Sequence, residues 1–115
     1  MDVTTGYLLI PVDGPLEVLE PAGESLKTLQ KGVDGYVEAV YLDDAFTMWL
    51  NDDGKGLRLP HNPRAQALWD RAFGAGTDFT VGPVVLTGGV DEDGETLELD
   101  AETVAALTAA LAGVA

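Results

Sequence analysis

"YVEAVYLDDAFTMWLN", residues 36–51, decides how this chain is read. Two runs of strand-forming residues flank an acidic pair, the pattern of a β-hairpin. With Asp43-Asp44 as a two-residue loop, Tyr41 stands opposite Phe46, Ala39 opposite Met48 and Val37 opposite Leu50. Strand side chains alternate between faces, so these six share one side of the sheet. Glu38, Val40, Thr47 and Trp49 take the other side, which is half polar. A slip of one residue would mix the two sets, so the pattern favours this register and a sheet covered on one face.

Working outward, the apolar run from Tyr7 to Val12 leads to the turn signal Asp13-Gly14. Leu16 and Val18 then alternate with Glu17 and Glu20, predicting a second hairpin. Glu24 to Lys31 predicts a short helix with Leu26 and Leu29 inward and Gly32 closing it. After the hairpin, Asp53-Gly54 is a turn, and Leu57 to Leu59 reads as a brief return strand. Asn62-Pro63 is a helix start with a mechanism: Asn accepts from free amides, and Pro fits the first helical position. Ala65, Leu68, Trp69, Ala72 and Phe73 keep helical spacing up to Gly74. Asp78 to Leu86 is strand-like but interrupted at Gly82-Pro83, since proline cannot donate to a ladder. Thr96 to Leu99 reads as a short strand. Asp100 caps a last helix with Val104, Leu107 and Leu111 on one stripe and Gly113 beyond it. The expected fold is α+β: one domain over residues 1–115, with a mostly antiparallel sheet of about five strands and two or three helices packed on one face.

Composition narrows the function. The chain has 115 residues, of which 46% are hydrophobic, so an ordinary core is within reach without staples. It has no cysteine, which excludes disulfides, thiolate metal sites and a cysteine nucleophile. The opening MDVTTGYLLIPVDG has neither a basic region nor a long apolar run. No signal peptide or membrane span is expected, and the expected compartment is the cytoplasm. The net charge is -14, which disfavours direct binding to nucleic acid or to an anionic membrane.

The scarce cations are unevenly placed. Of six basic residues, Lys55, Arg58 and Arg64 fall in LNDDGKGLRLPHNPRA, residues 50–65, beside the sole histidine, His61. This stretch and the order of the segments around it resemble the phage and mobile-element family known as domain of unknown function 3846. The resemblance rests on an Asn, an acidic pair, Gly-Lys, then Leu-Pro and Asn: Asn51, Asp52, Asp53, Gly54, Lys55, Leu59, Pro60 and Asn62. His61 is inserted between Pro60 and Asn62. The similarity covers about residues 7–86, with the acidic turn and last helix, residues 90–113, read as appended. The resemblance implies a genetic setting and carries no activity; an accessory or counter-defence role follows from that setting alone.

Each candidate chemistry competes with an ordinary structural role. Free amides at the start of the middle helix, with Lys55, Arg58, His61, Asn62 and Arg64 nearby, could hold a phosphate or nucleotide. The competing account is that Asn51, Asp52, Asp53, Gly54, Pro60 and Pro63 form a turn and a cap, with the cations neutralised by neighbouring acids. Asp91, Asp93 and Glu95, with Glu102, fall at positions 1, 3, 5 and 12 of a calcium loop, but Thr96 replaces its glycine. A solvated acidic turn is the plainer reading. Trp49 could anchor a protein partner from an open sheet face, or sit in the core. A triad would need the only serine, Ser25, and His61 brought together with an oriented acid, and no carboxylate pair stands out as a dyad, so no catalytic residue and no cofactor are expected. The leading expectation is a non-enzymatic accessory protein binding a host protein with a basic surface. The alternatives are a nucleotide- or phosphate-binding protein and an acidic DNA mimic that resists restriction. The sequence leaves the oligomeric state open.

Overall fold

A computed structural model describes residues 5–114; residues 1–4, on which part of the reading of the opening segment falls, and residue 115 lie outside it. The chain runs β1 (Tyr7–Ile10), β2 (Glu17–Leu19), α1 (Ser25–Val33), β3 (Val37–Tyr41), β4 (Phe46–Asn51), α2 (Pro63–Phe73), β5 (Val84–Gly88) and α3 (Ala101–Leu111). The strands form one antiparallel sheet in the order β2-β1-β5-β4-β3. The α+β class and the five-stranded antiparallel sheet are as the sequence leads one to expect.

The helices, however, cover both faces. Tyr7, Val85, Val37 and Trp49 pack with Leu29 and Val33 of α1. Their alternates in the same strands, Leu8, Ile10, Met48, Val84 and Leu86, pack with Ala65 and Leu68 of α2 and Val104, Leu107 and Leu111 of α3. The expectation of helices on one face fails because the central strand β5, VVLTG, is buried at every position. A continuous apolar run is what a strand sandwiched between two layers carries.

The register of the decisive hairpin is shifted by one residue from that expected. Val37 pairs with Asn51, Ala39 with Trp49 and Tyr41 with Thr47. The cause lies in the loop. The Asp43 carboxylate accepts from the amides of Ala45 at 2.7 Å and Phe46 at 2.9 Å. The Leu42 amide donates to the Phe46 carbonyl at 3.0 Å, closing a three-residue loop of Asp43, Asp44 and Ala45. Phe46, Met48 and Leu50 therefore share a face with Glu38, Val40 and Leu42. Mixing the two sets carries little penalty here, because each face has a helix layer to bury against. One residue does lose: Thr47 is buried, and its hydroxyl has no partner among the described residues.

Other segments also depart from expectation. Gly32 lies inside α1; a Cβ there would come within 2.6 Å of Val85 Cγ2, so this glycine lets the helix rest on β5. The helix stops at Asp34, which is left-handed at φ 57°. Leu26 is 58% exposed, leaving Leu29 and Val33 as the buried residues of α1. Residues 57–59 form no strand: Leu57 and Arg58 belong to a turn, with Arg58 at φ 57°. The pairing lies just beyond: the Gly82 amide donates to Pro60 O and the Asn62 amide to Thr80 O, which bridges His61 with Val81. The expected strand at residues 96–99 is reduced to isolated bridges of Thr96 with Val90 and Leu99 with Gly6.

Asn62 holds this region together. It is fully buried. Its Oδ1 accepts from the Ala65 amide, capping α2, while its Nδ2 donates to Ile10 O at 3.0 Å and Gly82 O at 2.9 Å. One side chain thus joins the end of β1, the lead-in to β5 and the start of α2. Asn62→Asp keeps the cap but removes both donors, leaving two buried carbonyls facing a carboxylate. It should lower unfolding free energy by about 3 kcal/mol or more, read from urea denaturation. A loss limited to the ~1 kcal/mol typical of a cap alone would show that the brace is unimportant. Conversely, Thr47→Val should raise stability by about 1 kcal/mol in the same assay, because it removes the unpaired hydroxyl.

Candidate functional site

The stretch from Asn51 to Asn62 that concentrates the cations begins and ends in structural asparagines. Asn51 Oδ1 accepts from the Asp53 amide at 2.9 Å, and its Nδ2 donates to Val33 O at 3.2 Å and Asp34 O at 3.3 Å, tying the turn to the end of α1. Gly54 is buried in that turn, where a Cβ would lie 3.1 Å from Val81 Cγ2. At the far end Asn62 offers nothing to an anion, because both its amide hydrogens already bond carbonyls. Of the first amides of α2, Pro63 has none, Ala65 donates to Asn62 Oδ1 and Gln66 to Asn62 O, which leaves that of Arg64.

The cations do not line one cavity. Lys55 pairs with Asp78, and its Nζ lies 4.4 Å from the centre of the Phe79 ring. Arg64 donates to the Pro11 carbonyl at 2.6 Å, just beyond the end of β1. Arg58 sits exposed on its left-handed turn, and no carboxylate lies within ion-pairing distance of it among the described residues. His61 is exposed within the short ribbon of residues 60–62 and 80–82.

The remaining candidates have local structural roles. Trp49 is half-buried under α1, and its Nε1 donates to Thr87 Oγ1 at 2.9 Å. The Asp91 carboxylate accepts from the amides of Asp93 and Glu95, forming the acidic turn. No group of three or more His, Asp or Glu side chains is arranged to hold a metal ion among the described residues. Ser25 Oγ shares a hydrogen bond of 2.7 Å with the Tyr7 hydroxyl, in a different part of the fold from His61.

What the fold does build beside the turn is a cavity of about 150 Å³. Glu38 of β3, Asp52 and Asp53 of the turn, and Trp69 of α2 stand around it, with Lys55, Asp78 and Phe79 on its wall. Asp78 neutralises Lys55, and Glu38, Asp52 and Asp53, which also line the cavity, form no ion pair among the described residues. Carboxylates beside aromatic rings suit an ammonium or guanidinium group. Gln66 fixes one side: its Nε2 donates to Asp70 and to Asp78 O, and its Oε1 accepts from the Thr80 amide. Glu38, Trp69, Asp78 and Phe79 were not legible as site residues, because they come from three separate segments. A second, larger groove of about 860 Å³ runs between α2 and α3, lined by Leu42, Phe46, Leu68 and Leu107 and rimmed by Arg71 and Glu102.

A two-faced, five-stranded antiparallel sheet with an acidic, aromatic-walled notch defines the class of this α+β protein. The chain belongs to the family described as Domain of unknown function (DUF3846), whose model matches residues 4–112. The match takes in the acidic turn and α3 as well as the Asn51–Asn62 segment. No curated protein and no solved structure matches the chain. Among the described residues no helix is long and apolar enough to cross a membrane.

Asp78 provides a pH test of the notch. The hydrogen bond from Lys55 and that from the Phe79 amide hold its carboxyl below the ordinary aspartate value of 3.8. A depressed folded value means the contribution to stability is present above 3.8 and is lost as pH falls from there through the folded value. Asp78→Asn should therefore flatten the acid limb of the stability–pH profile slightly, since the pair is largely solvated. An unchanged profile would show that the Lys55 pair forms equally in the unfolded chain.

Proposed function

We propose that this protein is a non-enzymatic accessory factor of a phage or mobile element that works by binding a host protein with a basic surface. The observation that carries this reading is the balance of charge around the notch. The chain has twenty acidic side chains against six basic ones, and the lysine beside the notch is neutralised by Asp78, leaving an acidic, aromatic-walled cavity exposed. The negative field steers a basic partner towards this surface and repels nucleic acid. The nucleotide-binding alternative loses its support, because Lys55, Arg58 and Arg64 do not converge and Asn62 has no free donor. The family supplies no activity, and the phage setting and counter-defence role rest on resemblance.

The test is affinity capture from host lysate on the immobilised protein at two salt concentrations. At about 0.1 M, where the Debye length is ~10 Å, a stoichiometric basic partner should be retained; at about 1 M, with ~3 Å, it should be released. Recovery of no stoichiometric partner, or of one that is insensitive to salt, would count decisively against the proposal.

A further inference from the structure

β3 is an edge strand, and the phase of its pairing shows which backbone groups are unused. The Asp52 amide donates to Tyr36 O, and the Leu42 amide to Phe46 O. In an antiparallel ladder the bonded residues alternate, so residues 36, 38, 40 and 42 bond to β4. The N–H and C=O groups of Val37, Ala39 and Tyr41 therefore point away from the sheet. The flanking Tyr36 and Tyr41 are 75% and 63% exposed. Such an edge is a template for another strand.

The edge also has a chemical preference. Glu38, at its middle, projects on the α2 side into the carboxylate and aromatic notch, while Leu42, at its end on the same side, lines the apolar groove. A strand laid against β3 would place the residue opposite Glu38 at the notch, and a residue two to four positions along at the groove, because alternate side chains share a face. A second copy of this chain fits poorly. Two β3 strands meeting there would bring two Glu38 carboxylates together between bodies of charge -14 each.

We infer that β3 accepts an extended segment of the partner as a sixth strand, with a lysine or arginine opposite Glu38 seated in the notch. This rests on the proposed binding of a basic partner and names how that partner docks. The backbone bonds of Val37, Ala39 and Tyr41 supply affinity, and Glu38, Asp52, Asp53 and Trp69 select the cation.

The probe is an eight-residue peptide alternating threonine with lysine, together with its glutamate-for-lysine counterpart. Amide exchange of the intact protein is followed by NMR, and affinity by fluorescence anisotropy. The lysine peptide should bind and slow exchange at the Val37, Ala39 and Tyr41 amides, and the glutamate peptide should do neither. Ala39→Pro removes an outward donor without touching the β4 ladder and should weaken the lysine peptide about fivefold to tenfold. Glu38→Lys should weaken it too. Absence of binding, or binding without slower exchange at those three amides, overturns the inference. So does protection of the same amides in the free protein together with a dimer in sedimentation. If Ala39→Pro still captures the basic partner from lysate at full strength, the edge is excluded while the partner reading survives. If the unaltered protein captures none, the partner reading fails whatever the peptide does.

Discussion

The Asn62 side chain makes three hydrogen bonds in a fully buried position, to the backbone of β1, of the segment leading into β5, and of α2. Those elements are distant in sequence, and each carries a backbone group that needs a partner once it leaves water. Without the amide of Asn62, the end of β1 and the turn at Gly82 would bury bare carbonyls beneath α2. The short ribbon of residues 60–62 with 80–82, the seating of Ala65 in the core and the path of β5 into the sheet centre all depend on this brace. The asparagine at the other end of the segment, Asn51, does the same for the end of α1. The Asn51–Asn62 segment that carries the family resemblance is therefore largely a set of structural bonds.

That division of labour changes how the cations are understood. They cluster in sequence because a turn and a helix start lie close together there. In space Lys55 leans to Asp78 and Phe79, and Arg64 reaches to Pro11, past the end of β1. Arg58 stays exposed on the turn without an acidic partner among the described residues, and Glu38, Asp52 and Asp53 line the notch beside it. Among the described residues Lys55 alone of the three cations is neutralised by a neighbouring acid, and on the proposed reading the notch beside it takes a cation from a partner.

The two-layer cover of the sheet explains why the hairpin adopts a register that the apolar pattern alone disfavours. A sheet with one wet face demands that all apolar residues of a strand pair point the same way. With α1 on one face and α2 and α3 on the other, both faces accept apolar residues, and the decision passes to the loop. Asp43, which takes two backbone amides, selects three loop residues over two. The shift carries Glu38 to the side of Leu50 and Trp69, where it joins the notch, and leaves Thr47 buried with its hydroxyl unpaired.

The sequence by itself determined the α+β class, the antiparallel hairpins, the caps at Asn62 and Asp100, and the stripe of Val104, Leu107 and Leu111, because turn chemistry, capping and periodicity act over a few residues. It also showed the Asn51–Asn62 segment as the distinctive part of the chain. Only the tertiary structure decided that Gly32 is a contact and not a stop, that the hairpin pairs one residue out of its apparent register, and that Glu38, Asp53, Trp69 and Asp78 share a cavity. The physical reason is common to all three. Each depends on which backbone and which face another element presents across the sheet, and local pattern carries no record of a neighbour that arrives from a distant part of the chain.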